Sequence, residues 1–216
     1  LAMDFGVIEG LNIIQAGVKE YSAKGVTSAQ AGAVESKMTA GLVAADKLNL
    51  IPMRVNLWPI FDQFGEDFLD GKVTKADYKT DKLDIGAIKI IADGSIQGYT
   101  GYLSKPYHMQ PAGNDHGTDN GDNELAPDKL SRGYPRVVKK DLNEWVSKYH
   151  KAGFQMAIHG NGDAAIDDII EAFALAQEEN YIADPRLILI HAQMARDDQL
   201  VRMKQLGITP SFFSAH

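Results

Sequence analysis

The stretch Phe154-Gln-Met-Ala-Ile-His-Gly-Asn-Gly-Asp163 constrains this chain more than any other. Phe154 to Ile158 is apolar, long enough for a buried strand and too short for a helix. His159 stands at its end. Gly160-Asn161-Gly162 makes a turn without bulky side chains, and Asp163 opens an amphipathic run, Ala164 to Gln177, as its expected N-cap. Strand, polar group at the tip, glycine turn and helix is the order in which an α/β protein presents a functional side chain. The pattern returns at Leu187-Ile-Leu-Ile-His191 and at Ile208 to His216, so three histidines stand at three successive strand ends.

The rest of the chain follows the same alternation. Helical spacing covers 10–24, 33–48 (Met38, Leu42, Ala45 and Leu48 along one side), 137–151 and 197–206, with a short helix at 64–69. Strands are expected at 26–30, 51–60 and 85–92, and 74–82 reads as polar connection. Six strands separated mostly by helices imply parallel pairing, hence an α/β sheet or a (β/α)8 barrel. No tandem repeat or internal boundary breaks the chain, so 1–216 is expected to be one domain. From 97 to 136 regular patterning disappears. Such an excursion is a lid or a mobile insertion, and its acidic middle, Asn114 to Glu124, lacks EF-hand spacing and reads as a solvated loop.

Composition narrows the function. At 44% hydrophobic, 216 residues hold ample material for a core. A net charge of -7 argues against a nucleic-acid surface or a polybasic membrane contact, and no apolar run is long enough to span a bilayer. With no cysteine, any metal must be held by nitrogen and oxygen. Leu1 is not an initiator methionine, no signal-peptide start is present, and the chain stops at His216 directly after a strand, so both ends are expected to be cut. The compartment expected is the cytoplasm, with the periplasm or secretion as the alternative.

Functional groups of parallel α/β folds gather at the C-terminal strand ends. His159 and His191 are one βαβ unit apart and should lie side by side, a pairing suited to zinc or a similar divalent ion. The alternative is a pair of core histidines bonded to backbone, or contacts to substrate without metal. Lys89 lies in the otherwise apolar Gly86-Ala-Ile-Lys-Ile-Ile-Ala92. Buried there, it must pair with a carboxylate such as Asp93, lose its proton, or become a carbamate able to bridge two metals. Asp93 and Asp163 are acid–base candidates or turn and cap residues, with Asp163 expected to cap its helix and orient His159. His216 could contact metal or substrate. His150, before the expected helix end at Gly153, is structural, and His108 and His116 fall in the excursion.

Ile88-Lys-Ile-Ile-Ala-Asp-Gly-Ser95, Ala157-Ile-His-Gly-Asn-Gly-Asp-Ala-Ala165, His191-Ala-Gln193 and Pro210-Ser-Phe-Phe-Ser-Ala-His216, in that order, resemble the YtcJ-like branch of the amidohydrolase superfamily, amidohydrolase family 3. Some of these relatives carry the label exoenzyme regulatory protein. The resemblance runs from about Gly25 to the end. It implies a (β/α)8 TIM-type barrel, here an incomplete piece covering strands two to seven of a longer enzyme. It also implies one or two divalent ions, zinc first, held by a carboxylated Lys89 with His159 and His191, these three serving catalysis. Asp93, Asp163 and His216 would then bind substrate. The reaction implied is attack of metal-bound hydroxide on an amide-like C–N bond of a small molecule. The family's first-strand His-x-His and eighth-strand aspartate are missing, so this piece alone should be inactive, and its outer strands should be covered by flanking segments or by another chain. Two other classes remain open: a non-catalytic ligand-binding or regulatory barrel, and a metal-free enzyme using His159 and Asp163 as an acid–base pair.

Overall fold

A computed structural model describes residues 6–111 and 130–213. Its contacts divide the chain into two compact units, Leu1–Lys89 and Ile90–His216.

The first unit runs α1 (Val7–Ala23), β1 (Ser28–Val34), α2 (Ser36–Lys47), β2 (Arg54–Pro59), α3 (Phe64–Leu69), α4 (Lys75–Tyr78) and β3 (Leu83–Ile85). Its three strands lie in the order β1-β2-β3, with Ser28 opposite Arg54 and Val55 opposite Leu83, all parallel. β2 alternates as its sequence demands, burying Val55 and Leu57 while Arg54 and Asn56 face out. In α2 the buried stripe is Thr39, Leu42, Ala45 and Asp46. The expected flank residues Met38 and Leu48 are exposed instead. Thr39 Oγ1 satisfies itself by donating to Glu35 O at 3.0 Å, which makes a threonine acceptable on the inward side.

The strand expected over 85–92 is two strands. β3 ends at Ile85 and β4 (Ile88–Ile91) begins after Gly86-Ala87, giving seven strands among the described residues where six were expected. Gly86 is where the chain needs room: a Cβ there would lie 2.0 Å from Asn56 Oδ1 and 2.8 Å from Trp58 Nε1. Gly86 N donates to Leu57 O at 2.8 Å, and Lys89 then bridges Ile60 in parallel, so the break shifts the chain along β2. An unbroken apolar run carries no mark of such a shift.

The second unit holds α5 (Lys139–Lys151), β5 (Met156–Gly160), α6 (Asp163–Glu179), β6 (Ile188–His191), α7 (Asp197–Leu206) and β7 (Thr209–Phe212). The sheet order is β4-β5-β6-β7, with β5, β6 and β7 parallel. Met156, Ala157 and Ile158 are wholly buried, as expected of a strand covered on both faces. α6 turns Ala165, Ile166, Ile169, Ile170, Phe173 and Ala176 inward at helical spacing.

Residues 97–111 and 130–136 form no helix or strand, as their composition implied. They are nonetheless tightly held: Leu103 N donates to Arg132 O at 2.8 Å, Tyr107 N to Ser131 O at 2.9 Å, and Leu103 and Tyr107 are buried. The acidic stretch Asn114 to Glu124 lies outside the described residues. Among the described residues no helix is long and apolar enough to cross a membrane.

Phe173 is fully buried and Met38 is not, so their truncations should separate cleanly. Phe173→Ala should lower unfolding stability by about 3–5 kcal/mol. Met38→Ala should stay within about 0.5 kcal/mol. Urea denaturation of both variants checks this, and equal losses would place the wrong face of α2 against its sheet.

Candidate active site

His159 and His191 close adjacent parallel strands, but their register alone would not join them. Gly160, not His159, stands opposite His191, and His159 stands opposite Ile190. In a regular pair, registered residues share a face, which would send His191 away from His159. Instead the backbone enters the left-handed region at two consecutive non-glycine residues, His191 (φ 71°) and Ala192 (φ 48°). Conformations of this kind cost about 1–3 kcal/mol each and persist only where surroundings enforce them. Here Ala192 N donates to Gly160 O at 3.1 Å and Met194 N to Asn161 O at 2.9 Å, fastening the β6 end to the β5 turn. The two imidazoles meet edge to face at 4.7 Å, and Phe213 packs on His191 at 5.7 Å.

Asp93 is completely buried at the end of β4's extension. Its Oδ2 accepts from Tyr102 N (2.9 Å) and Gly162 N (2.8 Å), and its Oδ1 from Asn161 N (3.0 Å). Oδ1 also lies 3.4 Å from His159 Nε2. The carboxylate therefore faces protein N–H groups. The close passage requires Gly162, where a Cβ would sit 1.9 Å from Tyr102 O.

Asp163 is the first residue of α6, and Gly162 takes the N-cap position expected for it. Its carboxylate accepts from Ser104 N at 2.8 Å, from Ser104 Oγ, and from Arg196 Nη1 at 3.0 Å. Burial pushes its pKa up, but Ser104 and Arg196 outweigh burial and hold it below the ordinary carboxylate range. His159 is oriented by other groups: Gly94 O at 2.9 Å, Asn161 Nδ2 at 3.2 Å and Asp93. Asp163 instead ties the irregular segment and α7 to the start of α6.

Lys89 is 6% exposed, and burial pulls its pKa down to about 8. It belongs to the first compact unit and the histidine pair to the second. His150 is structural, its buried Nε2 lying 2.8 Å from Asn180 O and 3.1 Å from Gln177 Oε1. His108 is exposed. His116 and His216 lie outside the described residues. Among the described residues, no three His, Cys, Asp or Glu side chains gather as a metal cage.

Sequence reasoning passed over Asn161 and Arg196. Asn161 looked like turn filler between glycines, yet it is 3% exposed and its Nδ2 donates to Gly94 O at 2.8 Å. Arg196 bonds Asp198, Asp167 and Asp163, each at 3.0 Å, and these carboxylates, Asp198 foremost, hold its guanidinium more firmly protonated. The one signal for it was a lone arginine before an acidic helix start, which also describes any ordinary surface.

Comparison with known proteins bears on the same residues. The Amidohydro_3 family model, described as the amidohydrolase family, matches residues 9–216. The putative amidohydrolase YtcJ of Bacillus subtilis is 28% identical over 126 residues, covering 58% of this chain and 20% of that protein. The N-substituted formamide deformylase of Arthrobacter pascens is 36% identical over 70 residues, 32% of this chain and 13% of its own length. This chain thus spans about a fifth or less of these two relatives. An uncharacterized metal-dependent hydrolase from Pyrococcus furiosus superposes with a TM-score of 0.76 at 23% identity, over 98% of this chain and 39% of that one. Its counterpart from Pyrococcus horikoshii gives 0.76 at 21% identity, over 98% and 38%. With its parallel β/α order shared with those two hydrolases and the family model reaching across nearly every residue, this chain belongs to the amidohydrolase family and has an incomplete (β/α)8 barrel fold.

Proposed function

We propose that this chain is part of a metal-dependent hydrolase that cleaves an amide-like C–N bond in a small molecule. One observation carries the reading: two imidazoles from successive strand ends meet at 4.7 Å, with His159 Nε2 bonded to a backbone carbonyl. A carbonyl only accepts, so Nε2 carries the proton of the neutral ring and Nδ1 keeps the lone pair a metal requires. These residues fit a divalent ion, zinc first, because imidazole nitrogen with oxygen donors is what a cysteine-free chain can offer. Bound there, such an ion would supply Lewis acidity toward a scissile carbonyl.

Lys89 stands where the family resemblance implies a carboxylated lysine. With its pKa at about 8, roughly a tenth of the side chain is neutral at pH 7. The neutral amine can add carbon dioxide, forming an N–C bond and releasing one proton, and the carbamate so made is an oxygen donor. Asp93 and Asp163 serve this site by fixing the turn and segment around it. The sequence contains no His-x-His, so the 216 residues alone should hold metal weakly.

In the full-length protein, His159→Ala and His191→Ala should each reduce bound metal and amide hydrolysis together. Metal analysis beside a hydrolysis assay tests this; full metal content in both variants would sink the reading and favour a non-catalytic barrel.

Lys89 gives a separate test through pH. Its folded pKa lies below its ordinary value of 10.5, so the unfolded chain binds the extra proton between about pH 8 and 10.5, and stability rises with pH across that window. Below pH 8 the burial penalty is fully present. In carbon dioxide-free, metal-free buffer, Lys89→Met should therefore stabilise the protein at pH 7 by up to about 3 kcal/mol. That gain should fade as the pH approaches 10.5. Denaturant titrations at pH 7 and pH 10 measure it, and a gain independent of pH would contradict the assignment.

A further inference from the structure

We propose that Arg196 is a positioning residue that, through Asp163, holds the end of β6 in its strained form and so keeps His191 turned toward His159. The inference rests on reading that histidine pair as a metal site. It concerns what holds the two rings together once the strands have ended.

β5 and β6 pair in parallel up to Gly160 and His191. Beyond that point the two chains stay fastened in the same order. Ala192 N donates to Gly160 O at 3.1 Å, Met194 N to Asn161 O at 2.9 Å, and Arg196 Nη1 to Asp163 Oδ2 at 3.0 Å. The first two bonds run backbone to backbone, and the third is an ion pair between side chains. Asp163 stands four residues after His159 and Arg196 five after His191, so the pair joins the two histidine loops where α6 and α7 begin. Arg196 is itself fixed from both helices. Its Nη2 donates to both carboxylate oxygens of Asp167 at 3.0 Å and its Nε to Asp198 Oδ1 at 3.0 Å. The fully buried Gln199 accepts from Arg196 N at 2.9 Å and donates to Asp163 O at 2.7 Å. A planar fork spanning carboxylates on two helices fixes direction as well as distance.

The strained residues need such a restraint. His191 (φ 71°) and Ala192 (φ 48°) would relax in a free loop, and relaxation restores the register in which His191 faces away from His159. Only five residues, Ala192 to Arg196, lie between the ring and the start of α7, so holding the far end of this loop restricts its near end. Ala195 N donates to Ala192 O at 3.2 Å and shortens the loop further. Ser104 N, donating to Asp163 Oδ1 at 2.8 Å, keeps the carboxylate in place for Arg196. Because solvent reaches the Arg196 side chain, the pair adds little to global stability, and its effect is local to the loops it joins.

The test uses full-length protein with zinc as the probe. Arg196→Met should weaken zinc binding by about tenfold. In the same variant without metal, hydrogen exchange at the Met194 and Ser104 amides should quicken by about tenfold, while the ladder amides of β5 keep their wild-type rates. Arg196→Lys, which keeps the charge but loses the fork, should fall between wild type and Arg196→Met. Asp163→Asn should also weaken zinc binding, and the double variant should lose no more than the worse single one, because the two residues act as a unit. Losses that add in the double variant, or exchange that quickens equally along β5, would mark a general loss of stability and overturn the proposal. Zinc retained by His159→Ala overturns the ligand reading and this inference with it. Zinc lost by His159→Ala but bound with unchanged affinity by Arg196→Met overturns this inference alone.

Discussion

The buried carboxylate of Asp93 receives three backbone N–H groups from two distant parts of the chain, Tyr102 on one side and Asn161 and Gly162 on the other. Hydrogen bonds to a charged acceptor contribute about 1.5–3 kcal/mol each, roughly twice the neutral kind. The bonds do more than add stability. A turn of Gly160-Asn161-Gly162 would otherwise have many conformations, and the segment after β4 has no ladder of its own to follow. Asp93 removes that freedom from both at once, and His159 is held between them.

A second layer of charge extends the frame outward. Asp163 takes Ser104 and Arg196, Arg196 takes Asp167 and Asp198, and the fully buried Gln199 donates to Asp163 O at 2.7 Å and to Asp167 Oδ1 at 2.8 Å. The starts of α6 and α7 and the irregular segment are thereby joined. Arg196 is more than a third exposed, so solvent screens its ion pairs and their main effect is geometric. The negative charge in the first turns of α6 and α7 also suits the positive end of each helix dipole.

The histidine pair shows how strain and function meet. His191 and Ala192 adopt a backbone that side chains disfavour, and the bonds to Gly160 O and Asn161 O keep them there. Relaxing those two residues would restore the register in which His191 faces away from His159. The energy stored in the strand end is what lets imidazoles from neighbouring strands share one space.

Much was legible in the residue order. Short apolar runs ending in histidine, followed by glycine turns and amphipathic helices, determine parallel β/α units, because length and periodicity leave no other element compatible with them. α3 and α7 fall where their spacing put them, and the adjacency of His159 and His191 followed from chain order. What only the tertiary structure decided is finer and depends on contacts between distant residues. The split of 83–91 into β3 and β4 arises because Gly86 meets Asn56 and Trp58, and no local pattern encodes that approach. The inward face of α2 was chosen by a threonine that satisfied its own hydroxyl, against simple hydropathy. Asp93, Asn161 and Arg196 found their partners only once strand ends and loops had come together, since a polar side chain's role is set by which donors and acceptors reach it, and sequence spacing does not record that reach.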